Sequence, residues 1–336
     1  MRRFHPTSFA LVGLTCAALS LLIGCGQQGD TDDFAVELNH IVAIGGPAAT
    51  EFGAISRLTT DRDGVLYVTD SASKQVQAYD ADGTRLHTMG RAGAGPAEFS
   101  GEIRGVAVMG DSVYVAESGP ARFHVLDNQV SFARRTASPV RGFMPMELVS
   151  TSAGLVAGGL GIDKNGRLGR MSDDLATFEP LPLVRSHYDF AWDTLLLDAL
   201  PDSVVVAYLF RNVVEVHPLD GGEPQAFEVT ATPEAPNPPP VDKTTQRAAP
   251  DAIPSDFFLW DLTVDTHGHI YLLARDFAEN PGQDVYIYNT AGSHLHTLTL
   301  PKPSQRIHIS EENRLYVATN ERTRIDVYEL TVSGTP

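Results

Sequence analysis

Two carboxylates one residue apart occur at Asp61 and Asp63 and again at Asp80 and Asp82, each pair followed by glycine. Side chains so spaced could share a Ca²⁺ ion. The string Asp-x-Asp-Gly is also hairpin chemistry, the first Asp accepting hydrogen bonds from the backbone just beyond it. It is read as turns. His267 and His269 flank Gly268, and His294 and His296 share one side of a strand. Imidazole pairs can ligate a metal, but neither has a third ligand nearby in sequence. Four further residues stand ten positions before a tyrosine: Arg57, Arg104, Asp261 and Arg306, ahead of Tyr67, Tyr114, Tyr271 and Tyr316. Three guanidiniums gathered on an acidic protein could clasp a carboxylate or phosphate bidentately. Asp70 and Glu117, three residues after their tyrosines, offer the preferred alternative of pairing with Arg57 and Arg104.

Cys25 stands at the end of a different pattern. Arg2 and Arg3 precede the uncharged apolar stretch Phe9 to Ile23, which runs into Leu22-Ile23-Gly24-Cys25. The stretch is short and rich in small residues for a membrane span. The four residues resemble the lipobox of bacterial lipoprotein signal peptides, in which the cysteine sulfur is acylated before cleavage on its N-terminal side. Residues 1–24 are therefore expected to leave as a signal peptide, with Cys25 as the lipidated first residue. Several acyl chains on one cysteine hold a protein durably on a membrane. Gly26 to Asp33, polar and small, reads as a tether, 25–33 with the cysteine. Gly26 is not the Asp of an inner-membrane retention signal, so a two-membraned source implies outer-membrane residence.

The formal charge of the chain is −17, and the leader carries two of its arginines. Such acidity argues against nucleic acid as a partner, since phosphate contacts need Lys and Arg. Of the two cysteines, Cys16 falls within the leader and Cys25 is the lipid acceptor. Disulfides, thiolate catalysis and cysteine-bound metal are thereby excluded.

What must position these residues is a repeat. A shift of about 47 residues lays His40 on His87, Glu51-Phe52 on Glu98-Phe99, Arg57 on Arg104 and Tyr67-Val68 on Tyr114-Val115. Each unit reads as short antiparallel strands between Asp- and Gly-marked turns. Val65 to Thr69, Val76 to Tyr79 and Arg85 to Met89 are three of them. Six units start near Ile55, Ile103, Met146, Asp193, Phe257 and Gln305. A four-stranded sheet this small cannot cover both faces alone, and radial stacking solves that. The fold expected is all-β, a six-bladed β-propeller over residues 34–333. The last unit lacks a fourth strand, and Phe34 to Ile44 resembles the fourth strand of the first unit. It is expected to close the ring on the last. Residues 231–255, rich in proline, are an inserted loop.

The run from Asp61 to Phe99 resembles the repeat of NHL-type six-bladed β-propellers, common among bacterial lipoproteins. That group includes lyases, lactonases, sensor domains and binding scaffolds, so the resemblance implies a fold more than an activity. No Gly-x-Ser-x-Gly, His-Glu-x-x-His or EF-hand loop occurs. No catalytic residue, metal site or cofactor is expected. The reading is a monomeric, membrane-anchored binding scaffold of the cell envelope. Its partner would be a protein, a peptide, a glycan or an anionic small molecule, met at the cluster of Arg57, Arg104, Arg306 and Asp261. The alternative is a divalent-metal lyase or lactonase drawing on Asp193, Asp261 and His308 in the channel.

Overall fold

Short runs of Val, Ile, Leu and Tyr bounded by Asx turns form hairpins, because the pleat seats branched side chains and the turn carboxylate caps the bend. In the computed structural model they make six four-stranded antiparallel sheets. The structure describes residues 34–46, 51–161, 167–184, 194–230, 257–276, 282–319 and 321–334. The signal peptide, Cys25 and the rest of the tether, Asp193 and the proline-rich stretch lie outside them.

The closing strand β1 (Ala35–Gly45) precedes the first blade, β2 (Ile55–Thr60), β3 (Leu66–Asp70), β4 (Gln75–Tyr79) and β5 (Arg85–Met89). The second blade is β6 (Ile103–Met109), β7 (Ser112–Glu117), β8 (Arg122–Asp127) and β9 (Phe132–Ala137). The third is β10 (Met144–Thr151), β11 (Gly154–Leu160), β12 (Leu168–Met171) and β13 (Phe178–Pro180). The fourth is β14 (Leu195–Leu200), β15 (Ser203–Tyr208), β16 (Arg211–Pro218) and β17 (Gln225–Glu228). The fifth is β18 (Phe257–Val264), β19 (Ile270–Asp276), β20 (Asp284–Tyr288) and β21 (His294–Thr299). The sixth is β22 (Arg306–Ile309), β23 (Arg314–Thr319) and β24 (Arg324–Ser333), and it takes β1 as its outer strand. The inner strands start within two residues of the positions read from the repeat.

Ring closure occurs as expected. β1 pairs antiparallel with β24 from Ala35 opposite Ser333 to Gly45 opposite Arg324. Each blade runs from inner to outer strand, so its first and third turns lie on one face of the ring, here the hairpin face. The second turn and the link to the next blade lie on the other, the loop face. The core is six apolar clusters, one between each pair of adjacent blades. That between the last and first gathers Ile55, Leu58, Val68, Tyr316, Val327 and, from β1, Ile44.

The inner strands crowd the axis, and at Gly105 this sets the residue type. A Cβ there would come within 2.8 Å of the Leu148 backbone nitrogen and 3.0 Å of the Glu147 carbonyl carbon. Backbone cannot yield as a flexible side chain does. Gly105→Ala is expected to destabilise the fold by about 1–3 kcal/mol in chemical denaturation. Wild-type stability in that variant would show that β6 and β10 do not pack this closely.

Candidate functional site

Four inner strands carry a bulge near their first residues. The ladder skips between Ile55 and Arg57 in β2, Ile103 and Val106 in β6, Pro145 and Glu147 in β10, and Leu259 and Asp261 in β18. A bulge re-aims the residue beside it and leaves backbone groups out of the ladder. Here it turns Arg57, Glu147 and Asp261 toward the axis and frees the Ser56 and Trp260 carbonyls. Arginines take both. Arg306 donates from Nε to the Ser56 carbonyl at 2.7 Å and from Nη1 to those of Trp260 at 3.1 Å and Gln305 at 2.7 Å. Arg57 Nη1 donates to the same Ser56 oxygen at 3.1 Å.

The four repeat-derived residues therefore meet around one corner of the axis. Their partners differ from those expected. Arg57 reaches across to β10 and forms a forked ion pair with Glu147, its Nε 2.7 Å from Oε2 and its Nη2 on Oε1. Arg104 pairs with Glu102. Asp70 and Glu117 instead tie down the segments that lead into the inner strands. Asp70 accepts from the amides of Gly53 at 2.6 Å and Ala54 at 2.9 Å. Glu117 accepts from those of Ser100 at 2.7 Å and Gly101 at 2.5 Å, and from Arg122 and His124. Burial pushes the Glu117 carboxyl up, but hydrogen bonds from His124, Gly101 and Arg122 outweigh it and hold it at about 2. The backbone claims these carboxylates because a buried amide without an acceptor costs more than an exposed arginine without a counter-ion.

Glu147 was hidden because the third unit has no tyrosine to count from; Val156 fills that place. Arg322 was hidden because it belongs to the loop between β23 and β24, outside the strand pattern. Its carbonyl accepts from the Ile55 amide at 2.9 Å, beside Ser56. Burial and the neighbouring Arg306 and Arg104 pull Arg322 below the ordinary arginine range. Burial and the same two neighbours pull Arg57 down likewise.

Below the Arg57–Glu147 pair, side chains of one inner strand serve the backbone of the next. Asp261 Oδ2 accepts from the Ile307 amide at 2.8 Å, and Thr263 Oγ1 from that of Ile309 at 3.0 Å. Asp198 Oδ2 accepts from the Thr263 hydroxyl and the Val264 amide, both at 2.9 Å. Thr60 Oγ1 and His308 Nε2 are 3.0 Å apart. Asp261, Asp198, Thr60 and His308 help wall an axial cavity of about 1180 Å³. One end is lined by Arg57, Glu147 and Asp261, and the other by hairpin residues including Asp63, Asp111 and Glu311. A shallower depression of about 540 Å³ shares Ser152, Ala153, Leu200 and Pro201 with it. Burial lifts Asp198 to about 6 against three hydrogen bonds, and lowers His308 to about 4.

The paired aspartates do turn work. Asp61 Oδ1 accepts from the amides of Asp63 at 3.0 Å and Val65 at 2.9 Å, and Asp80 Oδ1 from those of Asp82 and Thr84. His269 Nδ1 lies 2.7 Å from Asp265 Oδ2, and its ring meets Phe34 edge-on. His267 and His294 are exposed and His296 is half-buried.

No family model matches the chain, and no curated protein matches it by sequence. Solved structures do. A protein of Bacteroides fragilis described as exported is similar at a TM-score of 0.61 and 9% identity, over 89% of this chain and 95% of that one. A DUF4221 family member from Bacteroides vulgatus is similar at 0.60 and 11%, over 91% and 100%. A streptogramin B lyase is similar at 0.52 and 11%, over 90% and 98%. Likeness at such identity shows the fold alone, a six-bladed β-propeller, and a bacterial protein described as exported is among the neighbours.

Two outcomes follow from the axis. Arg57→Met or Glu147→Leu alone leaves a buried charge unpaired and is expected to cost about 3 kcal/mol, while the double variant returns close to wild type. Additive losses in a double-mutant cycle would mean the pair is not coupled. Raised from 3.8 to about 6, Asp198 contributes stability that is present below pH 4 and lost as pH rises through 6. Lowered from 6.5 to about 4, His308 contributes stability that is present above pH 6.5 and lost as pH falls through 4. The two oppose each other in wild type. On acidification from pH 7 to 4, His308→Gln should gain stability relative to wild type, and Asp198→Asn should lose it. Each effect is of order 1–2 kcal/mol, because both side chains face the cavity. Urea midpoints across that range check the signs.

Proposed function

We propose that the protein is a lipid-anchored binding scaffold of the bacterial cell envelope, holding a peptide, protein segment or glycan in its axial cavity. One observation carries this reading: a cavity of about 1180 Å³ walled by polar side chains that neighbouring strands hold in place. A ligand meeting pre-ordered groups loses little further side-chain entropy. The repeat, the lipobox-like Leu22 to Cys25 and exported neighbours of the same fold support the envelope location.

The lyase or lactonase alternative draws support from the streptogramin B lyase among the structural neighbours. It would need Asp261 and His308 to turn from strand contacts toward a metal. Among the described residues no three His, Cys, Asp or Glu side chains are grouped to hold one.

The test uses the full chain in detergent. Palmitate labelling should be lost in Cys25→Ala. Screening against glycans and peptides by thermal shift should find a ligand whose effect disappears in Thr59→Trp, which fills the cavity. A ligand at about 100 times its Kd stabilises the fold by about 2.7 kcal/mol. Elemental analysis should find no stoichiometric Ca²⁺ or Zn²⁺. Stoichiometric metal, or stabilisation that survives Thr59→Trp, overturns the reading.

A further inference from the structure

Beyond the Arg57–Glu147 pair, on the loop face, the axis has a second end of opposite chemistry. Arg306 and Arg57 converge on the single carbonyl oxygen of Ser56. Arg322 is planted at the same corner by its hydrogen bond to Ile55. Arg104 stands one blade further round, its side chain 40% exposed. Glu147 neutralises Arg57, and Glu102 meets one nitrogen of Arg104. Arg104 Nε is buried without a hydrogen-bond partner. Arg306 is oriented by three backbone carbonyls, and Asp261 acts on it electrostatically without a hydrogen bond to its guanidinium. Among the described residues no hydrogen bond or ion pair reaches the Arg322 guanidinium.

Like charges held this close repel, and a protein of net charge −17 has carboxylates in surplus to separate them. The carboxylates that act on them, Asp261 on Arg306 and Asp70 on Arg322, are themselves engaged by the backbone amides of Ile307 and of Gly53 and Ala54. Fork-shaped donors, that of Arg306 fixed by backbone carbonyls, suit a planar or tetrahedral oxyanion. We propose that Arg104, Arg306 and Arg322 form a receptor for a carboxylate or phosphate group entering from the loop face. It rests on the binding role above and adds a second site, with an anionic ligand class, to the cavity.

The experiment titrates the full chain in detergent with inorganic phosphate and, separately, with galacturonate, by calorimetry. One-site binding of either probe is expected, weakening as salt is raised. Arg322→Gln and Arg104→Gln should each weaken it at least tenfold, with unfolding temperatures near wild type. Arg322→Lys keeps the charge without the fork and should fall between. Binding of phosphate alone points to a phosphorylated ligand, and of galacturonate alone to an acidic glycan. Absence of saturable binding by both probes, or binding retained in the Arg104→Gln/Arg322→Gln double variant, overturns the site. Thr59→Trp should leave anion binding intact, so losing this site with cavity binding preserved refutes it alone.

Discussion

A sheet that ends on the axis of a ring has an edge with no strand to pair. Buried amides and carbonyls cannot stay unpaired without a cost of about 1–3 kcal/mol each. Three inner strands here, β2, β18 and β22, are therefore served by side chains of their neighbours. Asp261 and Thr263 accept from the backbone of β22, Asp198 accepts from that of β18, and Arg306 donates to carbonyls released by bulges in β2 and β18. The polar residues on the axis serve the edge first. What chemistry the axis has left depends on which of their atoms that duty leaves over.

Much of this was legible in the repeat. A gap-free shift aligning Arg57 with Arg104 and Tyr67 with Tyr114 exposes the blade, and one strand too few at the end exposes the closure by β1. Period and composition suffice there, because burying two faces of a thin sheet has few solutions. The bulges were not legible. They arise from crowding at the axis, a property of six strands together, and no local string marks them. The partners of Asp70 and Glu117 were misjudged for the same reason. The competing donors were backbone amides some sixteen residues upstream, which no side-chain pattern reveals.

The two faces of the ring use their charged residues differently. Hairpin turns recruit Asp because its carboxylate caps the bend, as Asp61, Asp80 and Asp127 do. Loops on the opposite face are followed by Arg122, Arg211 and Arg324 at the heads of the third strands. One requirement of turn geometry, repeated around a circle, thus places capping carboxylates on the hairpin side, while on the loop side Arg122 and Arg324 pair with Glu117 and Asp326. The Arg57–Glu147 pair stands between the two ends of the channel.

The direction of β1 fixes the face of the ring at which the described chain begins. It starts on the hairpin face, where Phe34 packs on His269 beside the Asp265 turn, and climbs toward the loop face. Phe34 lies nine positions after Cys25, a span of at most about 30 Å. A lipid on Cys25, as proposed above, would tether the molecule from the side of the acidic cavity mouth. The arginine end would then lie at the far end of the axis from that point of attachment.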